Sequence, residues 1–101
     1  MLFIVTYSIR SDNRNAAMER FVNTGGKAPH GIKMLGRWHA VAKLSGFAII
    51  ETDDAELMQQ WVMEWSDILS MEAYPALTDD QAGPIMMAAL AKIEAHAVTH
   101  P

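Results

Sequence analysis

The order in which two periodicities alternate along this chain constrains its fold more than any other feature. Residues 2–9, 32–41, 45–52 and 68–77 are short apolar or β-branched runs that read as strands. Helical patterns separate the first from the second and the third from the fourth. Between residues 42 and 44 there is room only for a tight turn, so the second and third runs form a hairpin. The order is β-α-β-β-α-β, with a further helical segment at the end. In 101 residues this is one domain. The split βαβ rule turns that order into a ferredoxin-like α+β fold, a four-stranded antiparallel sheet with both helices on one face.

Local signals support each element. Ser11-Asp12-Asn13 offers capping side chains before a helix over residues 14–24, with Ala17, Met18, Phe21 and Val22 as its apolar stripe. Gly25-Gly26 ends it, because glycine adopts the left-handed conformation cheaply. Gly36 and Gly46 fall inside the hairpin strands, where a glycine marks a bulge or the close approach of another group. Asp53 and Glu56 resemble a capping box for the second helix, in which Leu57, Trp61 and Trp65 recur every four residues. Pro75 marks either the end of the fourth strand or an edge position for it. Thr78-Asp79-Asp80 can cap the last helix, whose stripe runs through Ile85, Ala89 and Ile93. We take residues 1–82 as the ferredoxin-like body and 83–101 as a helical extension of the same domain.

Composition narrows the function classes. Both alternating sets of side chains along the strands include apolar residues, and half of the chain is hydrophobic. The open face of the sheet is therefore expected to be covered by a second copy, forming a homodimeric α/β barrel. The net charge of -4, with scattered lysines and arginines, argues against a nucleic-acid binder, which needs a basic face. No apolar run is long enough for a membrane span. The apolar start of the chain reads as a strand, not a signal peptide. The absence of cysteine rules out disulfides and thiolate sites and points to the cytoplasm.

The chemically capable side chains sit mainly on the central strands. Arg37 and His39 share one face of their strand, and Glu51 shares a face with Phe47 and Ile49 on the next. If the hairpin register brings these sets together, an imidazole, a guanidinium and a carboxylate converge in an apolar cavity. There His39 could serve as a general base and Arg37 could hold an anionic or carbonyl oxygen. The alternative is an Arg37–Glu51 ion pair of structural value only. Tyr7, Tyr74, Trp38 and the loop residue His30 are candidate ligand contacts. Trp38 is expected to point away from Arg37 and pack under the helices, and Trp61 and Trp65 have core spacing with an aromatic wall as the second option. His96 and His100 are four apart but lack a flanking acid, so no metal site is expected. No phosphate loop, nucleophile elbow or dinucleotide fingerprint is present, and no cofactor is expected.

The combination Gly36-Arg37-Trp38-His39, the segment from Gly46 to Asp54, Trp65-Ser66-Asp67, and Glu72 with Pro75 to Asp79 resembles a bacterial family, domain of unknown function 3303. The resemblance runs from Met1 to about Ala82 and implies the dimeric α/β-barrel architecture without implying an activity. It also looks like the broader group of small dimeric barrels that includes cofactor-independent monooxygenases, lactone isomerases and haem-degrading enzymes, which share a scaffold rather than a chemistry. The haem-degrading members use a first-strand Asn and a helix-borne His. Here the first strand offers Thr6, Tyr7 and Ser8, and the second helix has no His. The expectation is a protein that binds a small apolar or aromatic molecule, either as a cofactor-free enzyme or, alternatively, as a non-enzymatic stress-related or protein-interaction module with a packed interior.

Overall fold

The computed structural model of the chain describes residues 1–99. Its elements are β1 (Leu2–Ser8), a short 3-10 turn (Ser11–Asn13), α1 (Arg14–Thr24), β2 (Lys33–His39), β3 (Ser45–Glu51), α2 (Ala55–Trp65), β4 (Ser70–Ala76) and α3 (Asp79–Thr99). The strands form one sheet in the order β2-β3-β1-β4, every pair antiparallel. This is the ferredoxin-like arrangement with an added C-terminal helix.

The helix ends show how the sequence stops and starts each element. Ser11, Asp12 and Asn13 fold into the 3-10 turn, and Asn13 makes no side-chain capping bond to α1. At the other end Gly25 takes φ 74°, and its N–H donates to the Phe21 carbonyl at 2.7 Å. Asp54, one residue beyond the expected Asp53, caps α2 by accepting from the Leu57 N–H at 3.0 Å. Thr78 and Gln81 form a reciprocal capping box at α3. The Thr78 Oγ1 accepts from the Gln81 N–H at 3.2 Å, and Gln81 Oε1 accepts from the Thr78 N–H at 2.9 Å. Pro84 lies inside α3, where it has no N–H to offer the preceding turn. Pro75 sits on β4, an edge strand, where a missing N–H costs nothing.

Packing is one-sided. Val5, Ala48 and Ile50 from the sheet meet Met58 and Trp61 of α2 and Ile32 in a single buried cluster. Ile50 is fully buried, and burial of such a side chain contributes about 1.5–3 kcal/mol. Thr52 ties the loop before β2 to the start of α2: its hydroxyl donates to the Gly31 carbonyl at 2.9 Å and accepts from the Asp54 N–H at 3.1 Å. Arg20 bridges α1 to the end of α2. It grips Asp67 with two bonds of 2.9 and 2.6 Å, donates to the Glu64 carbonyl and lies 5.3 Å from the Trp65 ring.

The opposite face of the sheet is open. Ile4, Trp38, Phe47 and Tyr74 are exposed on it, with the Trp38 and Phe47 rings stacked at 5.2 Å. Trp38 therefore does not pack under the helices as its strand position suggested. A bulge between Met34 and Gly36 inserts Leu35 and reverses the alternation, so that Arg37 and His39 face the helices and Trp38 faces away. Trp38 bends back over Gly36, where a Cβ would come within 2.3 Å of its ring. Helix α3 runs past the sheet with Ile85, Met86, Met87, Leu90 and Ile93 exposed, in a molecule 64 Å long. Among the described residues no helix is long and apolar enough to cross a membrane.

Candidate functional site

The helices do not fill the space they cover. A cleft of about 370 Å³ lies between α1, α2 and the inner face of the sheet. Its walls are apolar: Val5, Met34, Ala48 and Met71 from the strands, and Trp61 and Trp65 from α2. Met18 and Val22 of α1 border it and are exposed, so the stripe expected to be core is partly a rim. Three strongly polar side chains enter this space, Tyr7 from β1 and Arg37 and His39 from β2.

Gly46 is what allows two of them to meet. It lies on β3 directly between Tyr7 on one neighbour and His39 on the other. A Cβ there would stand 2.6 Å from the Tyr7 hydroxyl and 2.3 Å from the Trp38 carbonyl oxygen. With no side chain in the way, the Tyr7 hydroxyl hydrogen-bonds His39 Nδ1 across the central strand. The two rings are edge-on with centroids 5.7 Å apart, and Phe21 of α1 meets the imidazole edge-on at 5.6 Å.

Arg37 is held by main-chain oxygens. Its Nη1 donates to the Gly26 carbonyl at 2.6 Å and its Nη2 to the Gly25 carbonyl at 3.2 Å. The guanidinium also lies over the Phe21 ring at 4.6 Å. The two left-handed glycines that end α1 thus turn their carbonyls toward the cleft. Gly26 has no room for a side chain, since a Cβ would meet Phe21 at 2.7 Å and Arg37 at 2.8 Å. Burial lowers the Arg37 pKa, an effect the Tyr7 interaction opposes. Burial raises the Tyr7 pKa, and the Arg37 charge partly offsets this. The result is a phenol that stays protonated and a cation that has lost part of its hydration. The indole N–H of Trp61, in the cleft wall, is buried without a hydrogen-bond partner.

Of the residues singled out from the sequence, the structure brings together Tyr7, Arg37 and His39. Glu51 pairs with Lys33 and Leu2 and shares the open face with Phe47 and Ile49. It takes no part in the cleft, and no Arg37–Glu51 ion pair forms. Trp38 and Tyr74 also lie on the open face. His30 sits exposed in the turn before β2, away from the cleft lining. His100 lies outside the described residues, and among those described no cluster of three or more His, Asp or Glu could hold a metal ion. Sequence reasoning missed Phe21, Gly25 and Gly26 as parts of the site. The paired glycines were visible as a helix stop but gave no sign that their carbonyls would hold Arg37.

A search of curated proteins returns no match. Among solved structures, one similar chain is a candidate antibiotic biosynthesis monooxygenase from Deinococcus radiodurans. It is 12% identical, with 77% of this chain and 94% of that chain covered, at a TM-score of 0.43. A family model described as domain of unknown function, DUF3303, matches residues 1–90 and so reaches into α3. With nine-tenths of its length matched, the chain belongs to the DUF3303 family.

Proposed function

We propose that this protein binds a small, largely apolar or aromatic molecule in the cleft beneath α1 and α2, and that the Tyr7–His39 pair can exchange a proton with it without a cofactor. The observation that carries this reading is an apolar space of about 370 Å³ with its hydrogen-bonding and charged side chains gathered at β1 and β2. That size and that mixture fit a ligand site. The proton path is short. A ligand proton passes to the Tyr7 oxygen as the Tyr7 proton passes to His39 Nδ1, leaving an imidazolium and a ligand anion. Arg37 supplies the opposing charge. Glu51 has no role in this path, since it lies on the other face.

The reading is tested by thermal shift with a panel of two-ring and three-ring aromatic compounds. At least some should raise the melting temperature of the wild type. Ala48→Phe, which pushes a ring into the cleft, should abolish the effect. A panel with no stabilising member would contradict the proposal.

The open face supports a second element, a homodimer in which two sheets cover each other's Ile4, Trp38, Phe47 and Tyr74 and close an α/β barrel. A monomer in sedimentation at micromolar concentration would argue against it. The exposed apolar residues of α3 favour the rival reading, an interaction module in which that helix docks on another subunit or a partner protein. Deleting residues 83–101 separates the two: the cleft reading expects aromatic binding to survive. The lack of cysteine supports a cytoplasmic setting.

A further inference from the structure

We propose that the molecule the cleft takes is a flat aromatic monoanion, its charged oxygens held by Arg37 and its ring system lying against Trp61 and Trp65. This rests on the cleft being a ligand site, and it names the class of ligand.

The first ground is the sign of the polar groups. The chain has 12 acidic residues and 8 lysines and arginines, yet no Asp or Glu lines the cleft, while an Arg does. No carboxylate pairs with Arg37 among the described residues; the ion pairs present involve Arg10, Arg20 and the Met1 amine. A partly buried guanidinium satisfied only by neutral carbonyls lacks the counter-charge that would offset its desolvation.

The second ground is the count of donors. A guanidinium has five N–H groups. Two go to the Gly25 and Gly26 carbonyls, which leaves donors in place for an oxyanion. The unspent polar capacity of Arg37 is that of donors, which a carboxylate or aromatic oxyanion matches and a cation does not. The Gly25 and Gly26 carbonyls hold the guanidinium, so the cation is already oriented before a ligand arrives.

The third ground is shape and size. An apolar cavity of about 150 Å³ is enough for a benzene ring. A cleft of about 370 Å³ therefore suits two fused rings with a substituent. Its aromatic wall favours a planar body.

The test compares three probes of one shape by calorimetric titration: 2-naphthoate, neutral 2-naphthamide and cationic 2-naphthylmethylammonium. Wild type is expected to bind naphthoate roughly tenfold or more tighter than the amide, as a charge-assisted hydrogen bond predicts, and the ammonium weakest. Arg37→Met should remove the preference for naphthoate over the amide. Arg37→Lys should keep a preference for the anion. The wild-type comparison stands even if Arg37→Met fails to fold. Equal binding of naphthoate and amide would overturn the charge assignment and leave the cleft reading intact. Preference for the ammonium would also overturn the assignment. No binding of any probe would overturn both.

Discussion

Gly36 and Gly46 lie on adjacent strands of one hairpin, and replacing each by alanine should have opposite consequences. A new Cβ at Gly36 would collide with the Trp38 indole at 2.3 Å. That ring is 52% exposed and can swing into solvent. A new Cβ at Gly46 would stand 2.3 Å from the Trp38 carbonyl oxygen, a main-chain atom that moves only if β2 parts from β3. It would also crowd the Tyr7 hydroxyl off His39. Both substitutions gain about 0.4–1 kcal/mol through the unfolded chain, so this contribution cancels in the comparison. Overpacking at Gly46 costs about 1–3 kcal/mol, and loss of the Tyr7–His39 bond about 1 kcal/mol more. Gly46→Ala should therefore fall below Gly36→Ala by about 2–4 kcal/mol. For a domain of this length each kcal/mol is worth about 4–8 °C in melting temperature. Urea unfolding followed by tryptophan fluorescence measures the difference directly. Equal stability of the two variants, or an unchanged Tyr7 titration in Gly46→Ala, would refute the claim that Gly46 makes room for the pair.

Three other outcomes follow from the same geometry. In a Tyr74→Phe background Tyr7 is the sole tyrosine, and its phenolate absorbance should appear above the ordinary midpoint of about 10, because burial disfavours the anion. The sign follows from linkage: its contribution to stability is intact below the unfolded value and is lost as pH rises through the folded one. Arg20 holds the Asp67 carboxyl below its usual range, chiefly by hydrogen bonding. Asp67→Asn should melt lower than wild type at neutral pH, and the gap should close as pH falls below the unfolded value of about 4 and through the lower folded one. A gap that does not narrow as the pH falls below about 4 would contradict this. Gly26→Ala should be more destabilising than Gly25→Ala by about 1–3 kcal/mol, since both pay for a left-handed alanine but only Gly26 also crowds Phe21 and Arg37; equal unfolding midpoints would show that Gly26 has room for a side chain after all.

The element order was legible because each element carries its own period. Leu57, Trp61 and Trp65 repeat at helical spacing, and Pro75 allowed either a strand end or an edge strand, of which the sheet order shows the edge. The faces of β2 were not legible. A strand has period two, so one inserted residue moves every later side chain to the other face, and Leu35 is that residue. Gly36 hinted at the bulge without saying which way Arg37 and Trp38 would turn. Grouping Glu51 with Arg37 and His39 required a register that only cross-strand pairing decides. Tyr7 met His39 because Gly46 stands between them, a three-strand relation that no single segment of sequence contains. The carbonyl grip on Arg37 likewise joins a helix end to a strand eleven residues away.

The three tryptophans offer the most direct test of where a ligand goes. Trp61 and Trp65 line the cleft, while Trp38 lies on the opposite face of the sheet. Each indole N–H gives its own signal in a nitrogen–proton NMR spectrum. On titration with 2-naphthoate, the signals of Trp61 and Trp65 should shift in proportion to occupancy while that of Trp38 stays in place. A shift of the Trp38 signal alone would put the ligand on the open face and contradict the assignment of the cleft as the functional site.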